Sequence, residues 1–174
     1  MLRLGARVTA RDRKSEAELG DYAVQLRKAG VSLCLGEGYL EDLCEEILFR
    51  APGLRPDLPA FAQAVARGAI LSSEIELFLD MTPATVLGIT GSDGKTTSTS
   101  VAGEILRAEC ARTGEGRVFV GGNIGIPPTS FLEQTQKGDL VVLELSSFQL
   151  QNTTRSPEVS AITNITPNHL NWHT

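Results

Sequence analysis

The chain has 174 residues, a net charge of −5 and 41% hydrophobic residues. This length allows one domain or two small ones, and the composition excludes wholesale disorder. The negative charge argues against general nucleic-acid binding, which requires many cations against phosphates. Three cysteines without a C-x-x-C pair favour a reducing cytoplasm, and no apolar run is long enough to cross a bilayer.

The first half of the chain alternates short apolar runs with helical patterns. This alternation is typical of an α/β protein with a mostly parallel sheet. We predict strands at residues 8–10, 31–35, 47–49 and 69–71, and helices at residues 17–29, 61–67 and 74–79. The first strand leads directly into Asp12. Pro83 marks a linker after the last helix, because proline disfavours helical backbone in the residue before it.

The second half repeats this alternation. We predict strands at 85–90, 118–120, 140–145 and 159–165, and a helix at 95–108 with Val101, Ala102, Ile105 and Leu106 on one apolar face. The last two strands are nearly continuous apolar runs, which predicts coverage on both faces. The fold class is therefore α/β, with a Rossmann-like domain over 1–82 and part of a P-loop-type, mostly parallel domain over 83–174.

A glycine-rich turn between the strand at 85–90 and the following helix predicts a phosphate-binding loop. Glycines allow the tight turn that directs N–H groups at phosphate oxygens, and the helix adds the positive end of its dipole. Lys95 would reach the β- and γ-phosphates, and the Thr96 hydroxyl would bind Mg²⁺. The standard G-x-x-x-x-G-K spacing is not met, because Ile89 occupies the first glycine position. A turn without a ligand stays an alternative.

Polar residues beside the other strands are further candidates. Glu144 ends an apolar strand and could bind Mg²⁺, which prefers a few carboxylates together with phosphates. It could equally be solvated or cap a helix. His169 follows the last strand, and a lone histidine is more often a satisfied polar group than a ligand. Asn123 lies in a glycine-rich turn, where it could adopt positive φ or contact a substrate.

Three segments together resemble the Mur ligase family, and a fourth, given last, resembles one member of that family. They are Gly88-Ile89-Thr90-Gly91-Ser92-Asp93-Gly94-Lys95-Thr96-Thr97, Gly122-Asn123-Ile124-Gly125, Glu144-Leu145-Ser146-Ser147-Phe148-Gln149-Leu150 and Asn164-Ile165-Thr166-Pro167-Asn168-His169-Leu170. The family's loop has the same shortened glycine spacing. The resemblance covers nearly the whole chain and is weakest over 1–82. Folylpolyglutamate synthetase shares the loop but differs around Glu144.

The resemblance implies an ATP-dependent ligase that adds D-glutamate to UDP-N-acetylmuramoyl-L-alanine through an acyl phosphate, in peptidoglycan synthesis. The cofactors implied are ATP and Mg²⁺. Residues 1–82 would bind the UDP substrate, without the family's first strand, and residues 83–174 would begin the ATP-binding domain. We expect a cytoplasmic monomer, with no nucleic-acid partner and no membrane insertion.

The matching motifs also imply a role for individual residues. The phosphate-binding set is Gly91, Ser92, Asp93, Gly94, Lys95, Thr96 and Thr97. The metal-binding set is Thr96, Glu144 and His169, and the catalytic set is Lys95, Glu144 and His169. Asp12 matches a position that contacts uridine, and Asn123 matches one near the muramoyl substrate.

The chain departs from the family pattern in several places. The family usually has Thr-Asn where this chain has Ser92-Asp93, which we interpret as a tolerated change. The family has a lysine that supports a second Mg²⁺, and it has a C-terminal domain. Neither has a counterpart in this sequence. We therefore expect a chain truncated at both ends and inactive alone. A nucleotide-binding module without catalysis, or another Mur-type ligase such as folylpolyglutamate synthetase, is the alternative.

Overall fold

The computed structural model describes residues 1–151 and 153–170. The strands are β1 Thr9–Asp12, β2 Ser32–Leu35, β3 Ile47–Phe49, β4 Ile70–Ser72, β5 Thr85–Thr90, β6 Val118–Gly122, β7 Leu140–Glu144 and β8 Val159–Ile162. The α-helices are α1 Glu16–Leu19, α2 Asp21–Lys28, α3 Pro59–Ala66, α4 Glu74–Met81, α5 Lys95–Thr113 and α6 Ser147–Leu150. Short 3-10 helices lie at Leu2–Leu4, Pro128–Ser130 and Leu132–Gln134. Every strand pair in the described part is parallel, which confirms the predicted α/β class.

The described chain forms two compact units. The first contains residues 1–45 and 59–68, and the second contains residues 46–58 and the described residues from 69 onward. The boundary predicted between residues 82 and 83 stays a prediction. Residues 152 and 171–174 of the predicted second domain lie outside the described residues.

The first unit pairs β1 with β2 and packs α2 beside them. The single helix predicted over 17–29 is wrong, because Gly20 adopts φ 52° and separates α1 from α2. Ser15 begins α1 with a capping box, in which its side chain accepts from the Glu18 N–H and the Glu18 carboxylate accepts from the Ser15 N–H. Ala23 of α2 is fully buried.

The second unit is built on a four-stranded parallel sheet in the order β6-β7-β5-β8, and the pair β3-β4 forms a separate two-stranded sheet. Its core combines apolar residues of the central strands β5 and β7 with side chains from α4 and from the segment around residue 131. The Phe131 ring stacks on Phe119 at 5.2 Å and meets Phe78 edge-on at 5.5 Å. This core packs against the two central strands, whose ends carry the candidate site.

Helix α5 continues to Thr113 and presents a different face to the sheet from the one predicted. Val101 and Ile105 are 53% and 63% exposed, whereas Thr99 and Gly103 are buried. A Cβ at Gly103 would lie 2.7 Å from Val120 Cγ2, so the missing side chain allows the helix to approach β6 closely. The predicted apolar face is therefore wrong for Val101 and Ile105, whereas Ala102 and Leu106 are half-buried, because the close approach at Gly103 rotates the helix.

Strand β8 ends earlier than predicted and is not covered. It pairs only with β5 among the described residues, and all four of its side chains are exposed. The expected coverage on both faces holds for β7, whose last four residues are buried, but not for β8. An apolar run alone does not reveal whether a strand lies at the centre or at the edge of a sheet.

Candidate functional site

Four strand ends meet at the carboxyl edge of the sheet in the second unit. Parallel pairing places Ile89 of β5 and Gly122 of β6 opposite Glu144 of β7, while Thr90 of β5 is opposite Ile162 of β8. The connections after all four strands therefore begin next to each other. Open α/β sheets bind ligands at this edge.

The phosphate loop, defined here as residues 91–94, connects β5 to α5. Gly91 and Gly94 adopt φ 141° and 77°, and Gly94 is the N-cap of the helix. Lys95 Nζ donates to the carbonyl oxygens of Gly91 at 2.6 Å and Ser92 at 2.9 Å. The lysine ammonium therefore already lies at the phosphate loop, where it could exchange these carbonyls for phosphate oxygens.

Glu144 is the centre of a hydrogen-bonded cluster beside the phosphate loop. Its side chain is only 2% exposed, yet both carboxylate oxygens have partners. Thr96 Oγ1 donates to Glu144 Oε2 at 2.7 Å, and Asn123 Nδ2 donates to Glu144 Oε1 at 2.7 Å. Glu144 is therefore neither solvated nor a helix cap, and three of the predicted site residues are in direct contact.

The turn after β6 places Asn123 in this cluster. Gly122 and Gly125 take the left-handed conformations at φ 101° and 62°, so Asn123 does not need positive φ. A Cβ at Gly122 would overlap the Glu144 carbonyl oxygen, which also accepts from the Asn123 N–H at 2.8 Å. The close approach that glycine allows thus brings the Asn123 side chain to the carboxylate.

Helix α6 forms one wall of the site and was not predicted. Ser146 and Gln149 form a capping box, in which Ser146 Oγ accepts from the Gln149 N–H and Gln149 Oε1 accepts from the Ser146 N–H. The S-x-x-Q spacing carried this signal in the sequence. Gln149 is buried, and the neighbouring Phe148 faces the site.

A buried arginine supports the same wall. Arg50 is 5% exposed, and its guanidinium donates to the carbonyl oxygens of Phe148 and Gln151 at 3.3 Å each. It also donates to carbonyls of the segment that follows it, at Ala51, Pro52 and Leu54. Burial lowers the pKa of the Arg50 guanidinium below its ordinary value. No motif in the sequence indicates this role for Arg50.

A cleft of about 620 Å³ lies at this edge. Its lining includes Lys95, Asn123, Phe148 and His169. The His169 ring lies 4.9 Å from the Phe148 ring, and the residue has φ 51° with its N–H held by Asn168 Oδ1 at 2.9 Å. His169 thus lines the cleft but is exposed, and its role in metal binding stays a prediction.

Asp12 belongs to the first unit. It is exposed at the carboxyl end of β1, and its Oδ1 accepts from the Lys14 N–H at 2.8 Å. The contact with uridine that the sequence predicts stays a prediction. No helix in the described part of the chain combines the length and apolar character that a membrane span requires.

Comparisons with known proteins agree with this geometry. Residues 89–174 match the family model of the Mur ligase middle domain. A UDP-N-acetylmuramoylalanine--D-glutamate ligase of Clostridium kluyveri is 47% identical over 174 residues, which is 99% of this chain and 37% of that protein. The ligase of the same name from Clostridium botulinum has the same identity and coverage. The chain belongs to the Mur ligase family.

A solved structure shows that the Mur ligase fold extends over the chain. The UDP-N-acetylmuramate:L-alanyl-gamma-D-glutamyl-meso-diaminopimelate ligase of Neisseria meningitides aligns with 99% of this chain and 57% of its own, with a TM-score of 0.51 and 17% identity. At this identity the likeness concerns the fold alone. The chain spans 37% of the length of the curated Mur ligases it matches.

Proposed function

We propose that this chain carries the phosphate-binding part of an ATP-dependent ligase that adds D-glutamate to UDP-N-acetylmuramoyl-L-alanine in peptidoglycan synthesis. The observation that carries the proposal is the buried Glu144 carboxylate, held by Thr96 and Asn123 beside the Lys95 ammonium. The names of the similar ligases support the choice of substrates.

The proposed reaction has two steps. A carboxylate oxygen of UDP-N-acetylmuramoyl-L-alanine attacks the γ-phosphorus of ATP, and the bond to ADP breaks. The amine of D-glutamate then attacks the acyl carbon, inorganic phosphate leaves, and the nitrogen loses a proton. The protein contributes chiefly positioning and charge neutralisation, as is general in phosphoryl transfer.

Lys95 and the start of α5 provide the positive charge for the phosphates. The Lys95 ammonium offsets the negative charge of the transferred phosphoryl group once it leaves the carbonyl oxygens of Gly91 and Ser92. The first N–H groups of a helix lack partners within the helix and attract anions. Gly94 in the left-handed conformation lets the chain turn from the loop into this helix start.

The Glu144 cluster fits Mg²⁺. No group of three or more His, Cys, Asp or Glu side chains suited to a metal occurs among the described residues. Mg²⁺ is commonly held by one or two carboxylates with phosphate oxygens and waters, so Glu144 and the Thr96 hydroxyl suffice. The ion, when bound, neutralises phosphate charge. His169 is proposed as a further residue that assists the metal.

The other assignments follow from the same proposal. Asn123 would hydrogen-bond the muramoyl substrate, and Asp12 would contact its uridine. The protein would act in the cytoplasm as a monomer. Ser92 and Asp93 belong to the proposed phosphate loop, although their own N–H groups already have protein partners. The phosphate contacts are therefore concentrated on Gly94, Lys95, Thr96 and Thr97.

The decisive test uses a protein that contains this chain and has the full length of its relatives. It measures the release of phosphate from ATP. We expect release only when UDP-N-acetylmuramoyl-L-alanine and D-glutamate are both present. Release without either substrate, or with glutamate acceptors of folate type, would contradict the proposed substrates. Calorimetry on the 174-residue chain adds a second measurement, in which we expect Mg-ATP binding without turnover. Binding by the longer protein without any turnover would favour a nucleotide-binding module.

A further inference from the structure

Asn164, which follows β8, holds the phosphate loop at two points. The Ser92 N–H donates to the Asn164 carbonyl oxygen at 3.1 Å, and the Asp93 N–H donates to Asn164 Oδ1 at 2.9 Å. A side-chain acceptor thus replaces a phosphate oxygen as the partner of the Asp93 N–H. Two N–H groups of the loop that could bind a nucleotide therefore already donate hydrogen bonds within the protein.

The neighbours of Asn164 reinforce this attachment. Thr163 Oγ1 donates to the Asp93 carbonyl oxygen at 2.6 Å. Ser92 Oγ donates to the Thr166 carbonyl oxygen at 3.0 Å and accepts from the Thr166 N–H at 2.9 Å. Gly91 lies so close that an added Cβ would overlap Thr163 Oγ1. The outer side of the phosphate loop is therefore shaped by residues 163–166.

This attachment determines which groups remain for phosphate. The Ser92 and Asp93 N–H groups are directed at Asn164, so within the loop and the start of α5 the Lys95 ammonium, which lines the cleft, and the first N–H groups of the helix remain for phosphate. The carbonyl oxygens of the loop must also point away from an incoming phosphate, and the Thr163 hydroxyl fixes one of them. A loop released from Asn164 could rotate these peptide groups.

We propose that Asn164 is a positioning residue for polyphosphate binding, whose amide oxygen fixes the Asp93 N–H and thereby orients the phosphate loop. The inference rests on the proposed function, since it requires a nucleotide at this loop. It assigns no contact between Asn164 and the nucleotide. Its action runs through the peptide groups of Ser92 and Asp93.

The test compares Asn164→Ala and Asn164→Asp with the unaltered full chain, by calorimetry with Mg-ATP at low and high salt. Alanine removes the acceptor, so we expect about three- to tenfold weaker binding at either salt, relative to the unaltered chain under the same conditions. Aspartate keeps an acceptor oxygen but adds a negative charge near the phosphates. The loss of Mg-ATP affinity in Asn164→Asp, relative to the unaltered chain, should therefore be smaller at high salt, because salt screens that charge. Ser160→Ala, which shortens an exposed side chain of β8, serves as the control and should bind normally.

The thermal midpoint separates positioning from a purely structural role. The bond from Asp93 to Asn164 is exposed, so the midpoint of both variants should stay within about 4 °C of the unaltered chain. Unchanged affinity in Asn164→Ala overturns the inference, as does an aspartate variant that matches alanine at every salt concentration. A loss of affinity that accompanies a collapse of the midpoint also overturns it. If the unaltered chain does not bind Mg-ATP, the proposed function fails and the inference fails with it.

Discussion

Replacing Glu144 with glutamine separates the charge of this carboxylate from its hydrogen bonds. The glutamine oxygen can face Asn123 Nδ2, and its amide nitrogen can donate to Thr96 Oγ1 if that hydroxyl rotates. Both 2.7 Å contacts are therefore retained while the negative charge is lost. The variant tests whether the negative charge is needed to bind a cation or to stabilise the fold.

Two opposing contributions determine the effect of Glu144→Gln on stability. Each bond changes from charged to neutral, which weakens it by about 1 kcal/mol, or about 2 kcal/mol for the pair. In the other direction, burying a charged carboxylate at a side chain only 2% exposed costs free energy. The neutral glutamine avoids this desolvation cost, which stabilises the fold by a similar amount. The free energy of unfolding should therefore change by no more than about 1 kcal/mol, and the thermal midpoint by about 2–4 °C.

Nucleotide binding should respond differently. Calorimetry with ATP in the presence and absence of Mg²⁺ should show that Mg²⁺ strengthens binding to the unaltered chain. In Glu144→Gln we expect this Mg²⁺ dependence to fall at least about tenfold, because the carboxylate ligand is gone. A variant that keeps the full Mg²⁺ dependence would refute the metal assignment. A variant that is strongly destabilised would show instead that the carboxylate serves the fold.

Three further predictions concern stability, each measured by urea unfolding. Gly122→Ala should destabilise the chain by roughly 2–4 kcal/mol, because residue 122 has φ 101° and the added methyl group would overlap a backbone carbonyl oxygen. The control Gly125→Ala, at φ 62° with open space around the added methyl group, should lose only about 1 kcal/mol. Arg50→Ala should lose roughly 2–4 kcal/mol by leaving several carbonyl oxygens without their donor. Asp139→Asn should lose about 2 kcal/mol at pH 7, because the buried carboxylate accepts from the guanidinium and N–H of Arg117.

The Asp139 prediction also has a defined pH dependence. The hydrogen bond from Arg117 is the largest cause that lowers the pKa of Asp139 below its ordinary value of 3.8. A carboxyl group with a lowered folded pKa contributes stability above its unfolded pKa and loses it as the pH falls through the folded pKa. The unaltered chain should therefore lose more stability than Asp139→Asn as the pH falls below about 4. Equal slopes for both proteins would contradict this reasoning.

A matched control is available for the arginine. The Arg55 side chain is 43% exposed and pairs with Asp57 at 2.9 Å, so Arg55→Ala should change the free energy of unfolding by less than about 0.5 kcal/mol. If Arg50→Ala behaves like Arg55→Ala, the buried guanidinium does not support the wall formed by α6. For the glycine pair, equal effects at Gly122 and Gly125 would mean that the close approach to Glu144 is not required.

Much of the candidate site follows from motifs and strand ends. The glycine spacing before Lys95 predicts a phosphate loop, and Glu144 is recognisable as a polar residue that ends an apolar strand. The reason is that glycine-dependent turns and strand periodicity are local properties. The capping box at Ser146 is equally local, and its S-x-x-Q signal was available in the sequence.

The orientation of larger elements was not predictable in the same way. The helix pattern alone placed Val101 and Ile105 on the packed face, but the contact between Gly103 and Val120 rotates α5 so that they are exposed. Strand β8 has the composition of a buried strand and yet lies at the edge of the described sheet. Packing partners distant in sequence decide both features.

By itself the sequence determined the α/β alternation, the phosphate loop and the identity of the residues gathered around it. Tertiary structure alone decided that Asn123 and Thr96 share the two oxygens of Glu144, and that Asn164 occupies N–H groups of the phosphate loop. The members of each pair lie at or beyond the ends of different strands. They come together only because the strand order β6-β7-β5-β8 brings those ends to one edge, and that order depends on contacts between residues far apart in the chain.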